Sequence, residues 1–156
     1  MAVGASICVK GSIEAVKFYE EALGLTSAHH GLNPGETYGH VEFQRDGETV
    51  FSLAEVGAEA GDANQKLVEM MLSGNVRSIM CFALGFNAEE EVHKAFELLS
   101  KGGRIVNPIT ALPWSPCCFD VIDKYGVWWY IYLPAGKRPT AKEVEEFFGW
   151  DRSEDE

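Results

Sequence analysis

The chain has 156 residues, which suits a single domain with a substantial hydrophobic core. An apolar fraction of 46% and a charged fraction of 24% are typical of a globular protein and exclude wholesale disorder. The formal net charge of −11, with no basic cluster, argues against a nucleic-acid-binding protein. The sequence has neither a long apolar run for a membrane span nor a signal peptide, so we expect a cytoplasmic protein without membrane association.

The first half of the chain predicts a strand, a helix and three more strands. Residues 5–10 favour a short strand, and Ser12 can cap a helix that runs to Leu23, where Gly24 stops it. The last two strands are joined by a turn with an Asp-Gly pair, which is typical of a β-hairpin. The three strands are predicted at residues 25–29, 38–44 and 49–54.

The second half of the chain repeats this order. A linker, 57–76, contains the apolar stretch LVEMML, which predicts one or two helical turns. A strand at 77–85, a helix at 89–99 and strands at 104–107, 117–122 and 127–133 follow, and Pro108 begins a loop. The hairpin glycines Gly47 and Gly126 align. The sequence therefore predicts an α+β domain over 1–136, built from two tandem βαβββ modules at 1–56 and 77–136, because one such unit cannot bury its own apolar face.

Residues 137–156 lie outside the repeat. Thr140 and Glu143 form a T-x-x-E capping box, which predicts a C-terminal helix at 141–148 that Gly149 ends before an acidic tail. The four cysteines show no C-x-x-C spacing, so we expect reduced thiols and no zinc site built from them.

Three segments carry a family resemblance: AVKFYEEALGL, YGHVEFQRDGETVFSLAE and LPWSPCCFDVIDKYGVWWYIYL. With the duplicated βαβββ order, they make residues 3–135 resemble the vicinal oxygen chelate superfamily, which holds glyoxalase I, ring-cleaving dioxygenases and fosfomycin and bleomycin resistance proteins. Within it the chain looks like the PhnB-like branch. The resemblance implies a glyoxalase/bleomycin resistance-like fold and a homodimer, since members commonly complete their cleft by dimerising.

The same resemblance implies where a metal would be held. Superfamily members usually bind one divalent ion through His and Glu side chains on the first and last strands of each module. The matching positions here fall near Ala5, Phe51, Phe82 and Tyr130, none of which binds a hard cation. We therefore expect no metal or other cofactor, with a divalent metal displaced to His40 as the alternative.

His40 and Glu42 are the candidate catalytic residues. They are two positions apart on an alternating strand, so they share a face, while Val41 and Phe43 share the other. If Val41 and Phe43 meet the helix, His40 points into the cleft as a general base or metal ligand, oriented by Glu42. The alternative is a solvated polar strand face.

Aromatic residues crowd the second module and suggest a flat, apolar cleft. Trp128 and Trp129 must point to opposite faces, so one should pack under the second-module helix and the other should line the cleft. The alternative for any single residue is core packing. The candidate ligand-binding residues are Tyr38, Phe51, Trp114, Cys118, Trp128, Trp129 and Tyr130.

Two functions compete at this point. The first is a small-molecule-binding or sequestering protein of the bleomycin resistance type, whose ligand is planar or, given the acidic charge, cationic. The second is a metal-dependent lyase or isomerase with its metal near His40. The sequence leaves open whether the protein is an enzyme.

Overall fold

The structure of the protein, a computed structural model, describes residues 4–150. Eight strands and four helices follow one another in the predicted order. Their bounds are β1 (Ser6–Val9), α1 (Ser12–Leu23), β2 (Thr26–Leu32), β3 (Tyr38–Arg45), β4 (Glu48–Glu55), α2 (Gly61–Leu72), β5 (Phe82–Gly85), α3 (Glu89–Ser100), β6 (Arg104–Leu112), β7 (Ser115–Ile122), β8 (Trp128–Leu133) and α4 (Ala141–Phe148).

Two four-stranded sheets confirm the duplicated architecture. The first has the strand order β1-β4-β3-β2 and the second has the matching order β5-β8-β7-β6. In each sheet the first strand of the module runs parallel to the last, while the remaining neighbours are antiparallel. The fold is therefore α+β, with two βαβββ modules and a C-terminal helix. Among the helices described for residues 4–150, none has the length and apolar character needed to cross a bilayer.

Helix α1 begins at a carboxylate supplied by the neighbouring strand. The Glu55 side chain at the end of β4 accepts hydrogen bonds from the backbone N–H of Gly11, at 2.9 Å, and of Ser12, at 2.7 Å. A negative charge at a helix N-terminus satisfies free N–H groups and complements the helix dipole. The helix ends at Gly24, whose φ of 62° is easily adopted by glycine.

The core forms between the two helices and one face of each sheet. Val41 and Phe43 on β3 and Val121 on β7 are fully buried. Because strand side chains alternate, the neighbouring residues of these strands point away from α1 and α3. We call this side of each sheet its open face. Helices α1 and α3 contact each other, so the two modules share one core.

Several boundaries differ from the sequence prediction. The 57–76 linker contains a twelve-residue helix, α2, longer than the expected one or two turns. Strand β2 continues past a register shift at Ala28–Gly31, and β5 begins only at Phe82. Strand β6 runs through Pro108 because it is an edge strand, where a missing N–H is tolerated. The predicted acidic tail, 151–156, lies outside the described residues.

Candidate functional site

Two tyrosines form an aromatic surface on the open face of the second sheet. Tyr130 and Tyr132 are alternate residues of β8, so their rings stack with centroids 5.3 Å apart and planes 11° apart. The indole N–H of Trp114 donates a hydrogen bond of 2.7 Å to the Tyr130 hydroxyl. Burial, followed by contact with Cys118, raises the pKa of Tyr130 well above its usual value, so this hydroxyl stays neutral.

A cavity of about 470 Å³ lies over this surface. Among the residues that the structure describes, the charged ones that line it are Lys137 and Arg138, which follow β8 in the chain. Most of the remaining lining is aromatic or aliphatic, as is common in small-molecule sites. The full lining is Ala83, Trp114, Tyr130, Tyr132, Pro134, Ala135, Lys137, Arg138 and Pro139.

The C-terminal helix extends the same aromatic surface. The Phe148 ring lies 6.2 Å from Trp114 and stacks on Trp150 at 4.8 Å. Phe147 on α4 lines an adjoining cavity of about 350 Å³, which shares Lys137 and Arg138 with the first. Residues 134–150 therefore place a basic pair and three exposed aromatic rings beside β8.

The predicted pair, His40 and Glu42, lies on the open face of the first sheet. His40 Nε2 is 3.5 Å from Glu42 Oε1, and the other Glu42 oxygen accepts a 2.7 Å hydrogen bond from the Thr49 hydroxyl. The Thr49 hydrogen bond, and then His40, hold the pKa of Glu42 below its usual value. The imidazole therefore has an orienting carboxylate, but its side chain is 52% exposed.

Three of the predicted ligand-binding residues are buried, which corrects their assignment to the cleft. Phe51 is 3% exposed and pairs with Phe43 across the β3–β4 hairpin, so it faces the core. Trp129 is 1% exposed, and its ring contacts Tyr19 of α1. Cys118 is also 1% exposed, with its thiol 3.5 Å from the Thr110 carbonyl oxygen. None of the three is accessible to a ligand without repacking.

The remaining predicted residues lie at separate places. Trp114 and Tyr130 share the cavity of about 470 Å³. Trp128 faces the open side, opposite to Trp129, but lines a different cavity of about 230 Å³ beside α2. Tyr38 lies on the first sheet, where its ring is 5.3 Å from that of His30. The prediction therefore combined residues from more than one surface.

The sequence interpretation missed the basic pair Lys137–Arg138. One signal was available, because it is the only place in this acidic chain where two Lys or Arg residues are adjacent. It also missed a group of possible metal ligands. Among residues 4–150, one set of three His, Cys, Asp or Glu side chains has all its ligand atoms within 4.8 Å of one another: Glu89, His93 and Cys117. The helical i, i+4 spacing of Glu89 and His93 was readable from the sequence, whereas the approach of Cys117 was not.

Comparison with known proteins agrees with this architecture. The chain is similar to a PhnB protein from Bacillus cereus, described as a putative 3-demethylubiquinone-9 3-methyltransferase, with 20% identity, a TM-score of 0.63 and coverage of 85% of this chain and 99% of that one. The fosfomycin resistance protein FosX from Listeria monocytogenes, solved with Mn(II) and sulfate, matches with 11% identity, a TM-score of 0.56 and coverage of 95% and 97%. A glyoxalase-related enzyme from Fulvimarina pelagi matches with 25% identity, a TM-score of 0.54 and coverage of 90% and 94%.

Sequence comparison identifies the family. No curated protein matches the chain. The family model described as Glyoxalase/Bleomycin resistance protein/Dioxygenase superfamily matches residues 4–131, most of the chain. Together with the two βαβββ modules, this match shows that the chain belongs to the glyoxalase/bleomycin resistance protein/dioxygenase superfamily.

Proposed function

We propose that the chain binds a small planar aromatic molecule on the open face of its second sheet. The observation that carries this proposal is the stacked pair Tyr130–Tyr132 under a cavity of about 470 Å³. Flat aromatic side chains gain dispersion and quadrupole interactions from a stacked ring, and this binding needs no metal. Trp114 adds a third ring, held in place by its hydrogen bond to Tyr130.

The charges at the cavity favour a ligand that carries an acidic group. The net charge of −11 predicted a cationic ligand, but no acidic residue in the described part of the chain lines this cavity. Screening at physiological salt limits exposed charges to a range of about 8 Å, so the nearest charges dominate. Those are Lys137 and Arg138, which line the cavity and can pair with a carboxylate or phosphate.

We also propose that a second copy of the chain covers this surface. The two sheets of one chain bury their inner faces in a shared core, whereas open-face residues such as His40 and Tyr132 keep solvent-accessible surface. Phe147, Phe148 and Trp150 are 53%, 40% and 57% exposed beside the cavity. A homodimer would bury these rings and close the open side of the ligand site. Sedimentation of the protein at several concentrations tests the dimer independently of ligand binding.

Catalysis by a metal near His40 is the weaker proposal. His40 and Glu42 supply two ligands, and Glu42 already accepts a hydrogen bond from Thr49. The part of the chain that the structure describes brings no third His, Cys, Asp or Glu ligand atom to this pair. Three protein ligands are usual for a catalytic zinc ion. We therefore place ligand binding ahead of a lyase or isomerase reaction.

A tryptophan fluorescence titration tests the binding proposal. The probes are 1-naphthoate, a planar anion, and a naphthyl trimethylammonium ion of the same shape. We expect saturable quenching by naphthoate that weakens as salt is added. Tyr132→Leu should weaken naphthoate binding about two- to tenfold, because one aromatic pair contributes about 0.5–1.5 kcal/mol. Trp128→Phe, in the separate cavity, is the matched control and should keep wild-type affinity.

The outcomes separate the two parts of the proposal. If neither probe saturates, or if Tyr132→Leu binds as tightly as the wild type, the aromatic site is wrong. If the cation binds more tightly than the anion, the site stands and the assigned role of Lys137 and Arg138 is wrong.

A further inference from the structure

A second polar site lies on the helix side of the second sheet. Glu89 and His93 are one turn apart on α3, with the Glu89 carboxylate 3.4 Å from His93 Nε2. Strand β7 passes beneath this part of α3 and places the Cys117 thiol 4.0 Å from the same nitrogen. We propose that Glu89, His93 and Cys117 form a zinc-binding site, distinct from the aromatic cavity.

The way the three side chains meet indicates a metal site rather than a catalytic relay. In a nucleophile–histidine–carboxylate relay, the carboxylate contacts one ring nitrogen and the nucleophile contacts the other. Here the carboxylate and the thiol both face Nε2 of His93. Three potential ligands that converge on one point leave room for a shared ion between them. The same arrangement cannot pass a proton from one nitrogen of the His93 ring to the other.

The separations are close to those required by zinc. Bond lengths of about 2.0–2.3 Å in a tetrahedral site place neighbouring ligand atoms roughly 3.3–3.8 Å apart. The separations of His93 Nε2 from the Glu89 oxygen, 3.4 Å, and from the Cys117 sulfur, 4.0 Å, are close to this range, and all three ligand atoms lie within 4.8 Å of one another. Small rotations of the exposed Glu89 and His93 side chains are enough to close the remaining distance.

The proposed zinc site has one buried, fixed ligand and two ligands that are open to solvent. Cys117 is 2% exposed and fixed in the middle of a paired strand, where its backbone carbonyl also accepts a hydrogen bond from Ser115. The side chains of His93 and Glu89 are 53% and 61% exposed, so an ion can enter from solvent. Three protein ligands leave the fourth zinc position for water or a small ligand, as in open zinc sites.

The residue types select zinc over harder ions. Thiolate and imidazole favour zinc, whereas magnesium and calcium prefer oxygen ligands only. Burial, and then the nearby Glu89 carboxylate, raise the pKa of Cys117, so the free thiol is protonated at neutral pH. On binding, the sulfur–hydrogen bond breaks, its electron pair forms the zinc–sulfur bond and the proton passes to solvent.

This site does not coincide with the metal positions that the family resemblance implies. In the family those positions lie on the first and last strands of each module, and here they fall near Ala5, Phe51, Phe82 and Tyr130. Glu89 and His93 instead lie on a helix, and Cys117 lies on the third strand of its module. The proposed ion would therefore be an addition to the fold, with no requirement for the aromatic ligand site.

Titration of chelator-treated protein with cobalt(II) tests the site, because cobalt replaces zinc and reports its ligands by absorption. We expect one equivalent to bind, with tetrahedral d–d bands and a thiolate-to-cobalt charge-transfer band, and zinc to displace it. Cys117→Ser should abolish the charge-transfer band. His93→Ala and Glu89→Gln should each weaken binding about tenfold or more. Cys81→Ser and His40→Ala are the matched controls and should bind like the wild type.

Three results would overturn the proposal. These are the absence of stoichiometric cobalt binding, a charge-transfer band that survives Cys117→Ser, or affinity that falls with His40→Ala and not with His93→Ala. Because Cys117 is buried, its variant is also checked for folding by circular dichroism. If that variant fails to fold, the exposed positions Glu89 and His93 still decide the outcome.

Discussion

The hydroxyl of Tyr19 donates a 2.7 Å hydrogen bond to Oδ2 of Asp123, joining residues 104 positions apart in the chain. Tyr19 lies on α1 of the first module, whereas Asp123 follows β7 in the second. The same Asp123 oxygen accepts a hydrogen bond of 2.8 Å from the Trp129 indole N–H. The other Asp123 oxygen accepts hydrogen bonds from the backbone N–H groups of Tyr125 and Val127. Asp123 is fully buried, so these four donors hold the hairpin turn and the module interface together.

Replacing Asp123 with asparagine should destabilise the fold strongly. An amide group keeps only one acceptor oxygen, so its NH₂ would face donors such as Tyr19 and Trp129. A buried polar network broken at one member costs about 3 kcal/mol. Urea unfolding followed by tryptophan fluorescence measures the loss. Tyr19→Phe removes one donor only and should cost about 1–2 kcal/mol. Equal losses in the two variants would contradict the central role of the carboxylate.

The Glu55 cap of α1 should make stability depend on pH. Burial raises the pKa of Glu55, but the hydrogen bonds from Ser12 and Gly11 outweigh burial, so its folded pKa lies below the usual value. A carboxylate with a lowered pKa stabilises the fold fully above its unfolded pKa, and that contribution is lost as pH falls through the folded pKa. Glu55→Gln should therefore cost about 1 kcal/mol at pH 7. The difference in unfolding free energy from the wild type should vanish in acid. A difference that stays constant with pH would show that the charge of Glu55 is irrelevant.

Arg45 should be a second link between the modules. Its guanidinium donates to the carbonyls of Leu23 and Gly85, each at 3.2 Å, and lies 4.6 Å from the centre of the Phe86 ring. A lysine ammonium group lacks the planar pair of N–H donors that reaches both carbonyls. Arg45→Lys should therefore lower the unfolding free energy by about 1–2 kcal/mol. Lys101→Ala, which breaks an exposed ion pair with Glu97, is the control and should change stability by less than about 0.5 kcal/mol. Similar effects of the two substitutions would mean that Arg45 contributes only a surface charge.

The capping box of α4 should stabilise that helix locally. The Thr140 hydroxyl accepts a hydrogen bond of 3.3 Å from the Glu143 backbone N–H. The Glu143 carboxylate in turn accepts a hydrogen bond of 2.7 Å from the Thr140 backbone N–H. Removing the cap costs about 1 kcal/mol, so Thr140→Ala should speed hydrogen exchange of the α4 amides about fivefold. Amides of β7 should exchange as in the wild type. Unchanged exchange in α4 would show that its stability comes from packing against Trp114 rather than from the cap.

The sequence by itself determined the order of elements and, along strands without a register shift between the residues compared, which residues share a face. Its alternating and helical patterns predicted both modules, and its capping residues predicted α4 at the bounds the structure shows. Local patterns of this kind depend on backbone periodicity and terminal hydrogen bonds, which neighbouring residues set.

Only the tertiary structure decided which aromatic residues reach a ligand. The Asp46–Gly47 turn alone would pair Phe43 with Val50 and leave Phe51 on the open face. A register shift between Phe43 and Gln44 instead pairs Phe43 with Phe51 and turns Phe51 into the core. One extra residue in a strand reverses the face of all that follow, and no local signal marks where it falls.

The two proposed sites depend on the same kind of long-range information. Cys117 meets His93 because α3 packs over β7, and the Lys137–Arg138 pair meets Tyr132 because the chain folds back after β8. Residue types in the sequence indicate which chemistry is available. Which side chains converge depends on burial and packing of the whole chain, and these arise only when both modules bury their apolar faces in one core.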